Sequence, residues 1–229
     1  MNNKNNVKAP WLDNYGNVPP TLEYFEGTMY DAVDIIAKRY PQYIVYDFMG
    51  RKTTYKAFMK SVERCARALR AIGIRAGDRV TICMPNCPQT VIMFYAVNVV
   101  GAVANMVHPL SSENEIEFYI RESKSILAIT LDQFYHKFEA IRHKVELSNV
   151  IIASIKDELS QPIKAGYMLT EGRKIEKTPK DAPIMTWNYF IRLGDRYHWK
   201  YRVERAANDP RHTLQRRHDR HNKGNTAFK

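Results

Sequence analysis

The sequence predicts an α/β fold with a mostly parallel sheet and helices on its faces. Three observations carry this. Between Arg79 and Leu131, β-rich apolar runs alternate with helical patterns, the order that builds parallel strands joined by crossover helices. Helix start and stop signals fall at the ends of those patterns. At 45% hydrophobic residues over 229 positions, the chain can bury a sizeable core.

Residues 1–27 are rich in Asn, Pro and aromatics and are expected to wrap the surface. Thr28 opens a helix, with Asp31 as a capping partner and Tyr30, Val33, Ile36, Ala37 and Tyr40 at helical spacing. Pro41 ends it. Tyr43–Phe48 and Lys52–Tyr55 read as a hairpin turning at Gly50-Arg51. The next helix has one apolar stripe, Tyr55, Phe58, Met59, Val62, Cys65, Ala66, Leu69 and Ile72, and stops at Gly73. Its other face is basic and reads as solvated, with Glu63 four residues before Arg67.

Arg79–Met84 is a predicted strand. Pro88 begins a helix apolar nearly all round, which must therefore be buried. Ala102–Val107 is a second strand. Ser112 and Glu115 form a capping box opening a helix to about Ser123. Ile126–Leu131, an amphipathic helix over 133–147, and a strand at Asn149–Ile155 follow. From 157 to 180, Pro162, Gly166, Gly172 and Pro179 mark a connecting region. Thr186–Leu193 predicts a short helix and Tyr197–Val203 a strand.

Formal net charge is +11, unevenly spread. Residues 211–229 carry six Lys/Arg against Asp219 alone, a net of +5. Cys65, Cys83 and Cys87 are an odd, sparse set and read as buried free thiols. Cys83 and Cys87 have no second Cys or His pair at metal-site spacing. The start, MNNKNNVKAPW, has no apolar core of a secretory signal, and a cytoplasmic setting is expected, with peripheral membrane association as the alternative. Thr90–Val107 is eighteen residues without a charge, near the lower limit for a membrane span. Asn98, Gly101 and Asn105 within it favour a buried helix followed by a strand.

Three phrases resemble a known family. They are TTYKAFMKSVERCARALRAIGIRAGDRV, MPNCPQ, and VNVVGAVANMVHPLSSENEIEFYIRESKSILAI. In their order and spacing they resemble the N-terminal part of adenylate-forming, AMP-dependent acyl-CoA synthetases, with Phe58 where that family usually has Leu. The resemblance spans roughly residues 20–210 and is greatest to bacterial long-chain fatty-acid CoA ligases. It implies an ATP-dependent acid–thiol ligase. A carboxylate attacks the α-phosphate of ATP, and coenzyme A then displaces AMP. It also implies an incomplete version of that fold: a surface-wrapping segment 1–27, an α/β subdomain 28–156, a connecting region 157–210, and a basic tail 211–229.

The family places a Ser/Thr/Gly-rich phosphate loop after a phrase that Asn208-Asp209-Pro210 resembles. Here the chain instead reads RHTLQRRHDRHNKGNTAFK. Codons permitted by that tail, read one nucleotide later, allow A-[TI]-L-Y-S-G-G-T-T-G-[TI]-[TI]-K-G-I-L-L-S. The tail is therefore expected to be out-of-frame translation, disordered, and ended by a chance stop. Two rival readings exist. Arg216, Arg217 and Arg220 suit nucleic-acid phosphates, though no aromatic platform accompanies them. His212, His218 and His221 suit a metal, with Asp219 as the one acidic partner.

No residue is assigned a catalytic, cofactor-binding or metal-binding role. The Mg-linked Glu, the ribose-binding Asp and the C-terminal catalytic Lys of the family all belong later in its chain. His108, before Pro109, reads as a structural histidine at a strand end. Aromatic residues between 187 and 201 suit an acyl pocket or ordinary core packing. No cofactor is expected for this portion; ATP, Mg and CoA, with a fatty acid, are implied for the complete enzyme. The expected function is a ligase portion inactive as this chain, with chaperone binding or self-aggregation following from unpaired edges. The alternative is a non-enzymatic protein that binds nucleic acid or another anionic partner through its tail.

Overall fold

A computed structural model describes residues 9–22, 25–170 and 184–199. Two sheets are present among them. The smaller is a hairpin of β1 (Ile44–Phe48) and β2 (Arg51–Thr54). Met49 and Gly50 form its two-residue turn, both at positive φ (52° and 80°), the backbone that tight hairpins require. The turn thus comes one residue earlier than Gly50-Arg51.

The larger sheet has five parallel strands: β3 (Arg79–Cys83), β4 (Val103–Met106), β5 (Leu127–Leu131), β6 (Asn149–Ala153) and β7 (Ile184–Thr186). Their order across the sheet is β4-β3-β5-β6-β7. The α/β class with a mostly parallel sheet is therefore as expected. β7 is an addition that its three residues were too few to announce.

The helices are α1 (Met29–Arg39), α2 (Tyr55–Ala71), α3 (Pro88–Val100), α4 (Glu113–Ser123), α5 (Tyr135–Ile141), α6 (Gln161–Leu169) and α7 (Trp187–Arg196). Thr28 and Ser112 cap α1 and α4 with full capping boxes, using Asp31 and Glu115. Thr54 caps α2 by accepting from the Ala57 N–H. Gly101, at φ 78°, closes α3 in the left-handed conformation. Amphipathic helix 133–147 contracts to a short 3-10 turn and α5, and the connecting region contains the unexpected α6. Tyr197–Trp199 are not strand; the rest of that expected strand lies outside the described residues, as does the tail from 211.

Alternation along the strands feeds two cores. Cys83, Ala128 and Ile152 pack with Ile116 and Ile120 of α4 and Tyr135, Phe138 and Ile141 of α5. Val80, Ile82, Leu127, Ile129 and Ile151 are fully buried at the alternate positions. Burying each such side chain stabilises the fold by roughly 1.5–3 kcal/mol. α3 contacts β3, α7 contacts β6, and α2 packs against both helices. The basic face of α2 is consequently not simply solvated. Arg64 makes a two-point pair with Asp195 (2.7 and 2.6 Å), and Arg67 donates to the Gly194 carbonyl at 3.0 Å rather than waiting on Glu63.

Candidate functional site

In a parallel sheet, the place where strand order reverses leaves a crevice beyond the carboxyl ends of the strands. Here β4 lies on one side of β3 and β5 on the other, so the reversal sits at β3. A cavity of about 510 Å³ opens there. Its walls are the segments leaving three strands: Met84–Asn86 after β3, Val107–Leu110 after β4, and Gln133 and Phe134 after β5. Pro85 ends β3 and Pro109 follows β4, so neither strand can continue into the opening.

His108 stands at this rim, exposed, at the end of β4. Its Nδ1 accepts the Leu110 backbone N–H at 3.2 Å. That bond occupies Nδ1 as an acceptor and leaves Nε2 without a described protein partner. His108 is thus at a strand end, as expected, but it is not buried there. The loop carrying it is pinned by Lys137 of α5, whose Nζ donates to the carbonyls of Pro109 (3.0 Å) and Ser111 (2.7 Å). The ammonium also lies 5.8 Å from the centre of the Phe134 ring. No sequence signal marks Lys137 for this role, because its partners are backbone carbonyls 26 and 28 residues away.

Beneath the rim, the Cys83 thiol points to the His108 carbonyl oxygen at 3.8 Å. Burial pushes this thiol up to about 11, with Lys137 acting weakly in the opposite direction. Cys87 contacts the Thr90 hydroxyl, and burial raises its thiol too. Neither is a poised nucleophile. All three cysteines are free and buried, as the sequence implies.

Chemically, the crevice offers an apolar lining, the His108 imidazole, and the amides of Asn86 and Gln133. No carboxylate lines it among the described residues, and His108 is the one lining side chain of ordinary acid–base range. Nor, among those residues, is any group of three His, Cys, Asp or Glu side chains arranged to hold a metal ion. Nearby, Gln89 is fully buried at the start of α3 and donates to the Ser154 carbonyl at 3.0 Å, tying α3 to the segment after β6.

Of the aromatic residues from 187 onward, Trp187 and Phe190 are buried with rings 5.8 Å apart, whereas Tyr189 is half exposed. Trp199 stacks under the Arg70 guanidinium at 5.4 Å. Core packing thus accounts for Trp187 and Phe190. No helix of the described residues is long and apolar enough to cross a membrane; the Thr90–Val107 stretch divides into α3 and β4.

Comparisons with known proteins bear on this architecture. The family model for AMP-binding enzyme matches residues 33–189. A long-chain-fatty-acid–CoA ligase of Bacillus subtilis (strain 168) is 32% identical over 169 residues, which is 73% of this chain and 30% of the relative. A ligase of the same description from Salmonella typhimurium is 25% identical over 158 residues, 67% of this chain and 28% of the relative. Among solved structures, the anthranilate CoA ligase AuaEII in complex with anthranoyl-AMP superposes with a TM-score of 0.60 at 14% identity, over 77% of this chain and 30% of that one. The N-terminal domain of FACL13 from Mycobacterium tuberculosis gives 0.54 at 19% identity, over 77% and 38%. These structures share the fold. The chain spans about 30% of the length of the curated relatives. It belongs to the AMP-binding enzyme family.

Proposed function

We propose that this chain is the N-terminal portion of a fatty-acid CoA ligase, and that the 229 residues do not activate a carboxylate by themselves. The observation that carries the reading is the 32% identity to a long-chain-fatty-acid–CoA ligase, confined to 30% of that enzyme. In the complete enzyme a fatty acid, ATP and CoA would be joined in two steps, through an acyl-adenylate. That transition state is stabilised chiefly by fixed donors around the phosphates. In this reading, residues 28–156 form the α/β subdomain and 157–210 lead toward the phosphate loop.

The tail, 211–229, is read as the product of a shifted frame, since its codons admit the loop motif in the register where the family has it. The portion is further expected to self-associate or be held by chaperones. Val103 and Met106 on edge strand β4 and Phe118 on α4 are each more than half exposed, which supports that expectation.

Two measurements test the proposal. The gene sequence after the Pro210 codon should encode the loop motif one nucleotide out of frame; a shifted frame without it refutes the account of the tail. The purified 229-residue chain should give no fatty-acid-dependent exchange of pyrophosphate into ATP; exchange above a blank from the same host refutes the inactivity.

A further inference from the structure

A second cavity, about 720 Å³, lies where the β1–β2 hairpin, α2, the segment after β6 and the start of α7 meet. This is within the range of small-molecule sites. Its walls are cationic. Arg51 and Lys52 come from β2, Arg64 from α2 and Arg192 from α7, against the single lining carboxylate of Glu158.

These cations are not equivalent. Arg51 is committed to Glu158, through its carboxylate at 3.0 Å and its backbone carbonyl at 3.1 Å. Arg64 is committed to Asp195. Lys52 and Arg192 are exposed and make no ion pair with another described residue. The two committed guanidiniums are held in place by their pairs, and two further cations line the same space with no ion pair to another described residue. Thr54 and Ser61 add hydroxyls, and Asn188 an amide. The first backbone N–H groups of α2 are already bonded to Tyr43, Pro41 and Thr54, so the site rests on side chains rather than on the helix end.

We propose that this cavity binds a small molecule carrying two or more phosphate groups. The two uncommitted cations stand on separate walls, Lys52 on β2 and Arg192 on α7, and a ligand with more than one anionic centre can match both. A guanidinium presents paired N–H donors that match the oxygens of a phosphate. A singly charged ligand would neutralise one of these two cations and leave the other. The site is independent of the ligase reading, since it uses none of the family's phosphate-loop residues.

Pyrophosphate binding to the full chain, followed by titration calorimetry at low salt, tests this. Wild type should bind one equivalent saturably, more weakly as salt rises. K52A/R192A should lower the affinity at least about tenfold, because charge-assisted contacts carry more than the 1.4 kcal/mol that tenfold represents. R216A/R217A/R220A, which removes tail cations, should leave the affinity within about twofold, a change worth under half of that 1.4 kcal/mol. Three results would overturn the proposal: no saturable binding, a loss that follows the tail variant instead, or equal affinity for citrate. Circular dichroism of K52A/R192A should match wild type, since both side chains are exposed and unpaired among the described residues.

Discussion

Gly194 of α7 sits directly on Ala68 of α2. A methyl group added at Gly194 would overlap the Arg64 carbonyl oxygen and come within 2.9 Å of the Ala68 backbone nitrogen. The same approach lets Arg67 reach the Gly194 carbonyl and Arg64 reach Asp195, so a small residue on each helix permits two polar ties. In an open helix, Gly→Ala gains about 1 kcal/mol from backbone entropy. Here the obstacle is backbone, which cannot swing aside, and overpacking costs roughly 1–3 kcal/mol. Gly194→Ala is therefore destabilising on balance, visible as a lower midpoint in urea. An unchanged or higher midpoint would mean the helices are not this close.

Lys137 holds the 109–111 loop by two carbonyls. Lys137→Met keeps the stem and removes the donors. The expected loss is about 1–2 kcal/mol, and amide hydrogen exchange should quicken at Leu110 and Ser111 while α3 remains protected. Uniform quickening throughout the sheet would assign Lys137 a general packing role instead.

Asp157 follows β6 in a half-buried position. Burial raises its carboxyl above the usual range, opposed first by the hydrogen bond from Asn188 and then by Lys156 and Lys164. A carboxyl raised in the folded state binds its proton more tightly there than in the unfolded chain. Ionisation therefore costs stability at neutral pH, and that cost disappears as pH falls through the folded value toward the unfolded one, about 3.9. Asp157→Asn retains an acceptor for Asn188. It should be at least as stable as wild type at pH 7, with its advantage shrinking as pH falls to 4. A variant less stable at pH 7 than at pH 4, relative to wild type, would reverse the assignment.

Cys65 is fully buried, and its thiol is raised still further than that of Cys83 by burial alone. A thiol reagent such as DTNB should label none of the three cysteines in the folded protein at pH 8 and all three in guanidinium. Rapid labelling of one cysteine without denaturant would show local opening around it, most informatively at Cys83 under the His108 loop.

The helices were legible because their signals are local. Thr28 with Asp31, and Ser112 with Glu115, announce capping boxes within four residues. The all-apolar α3 announces burial by itself, and the stripe Phe58, Met59, Val62, Cys65, Ala66 and Leu69 is the buried face of α2. Ala68 escaped that reading, because an alanine off the stripe looks neutral until Gly194 arrives beside it. β7 and α6 escaped for a related reason: three residues give too short a pattern, and Gly166 with Pro162 reads as loop.

The candidate site was hardly legible at all. His108 was visible as a residue type, but its loop is placed by Lys137, and its crevice exists only because β5 adds to β3 on the side away from β4. The cationic cavity likewise gathers Arg51, Arg64 and Arg192 from stretches up to 141 positions apart. What the sequence by itself determined was the family and the succession of strands and helices, since periodicity, caps and motif phrases act over short range. What only the tertiary structure decided was strand order, the Gly194–Ala68 contact and both cavities, because these arise from packing between elements whose separation along the chain leaves no local trace.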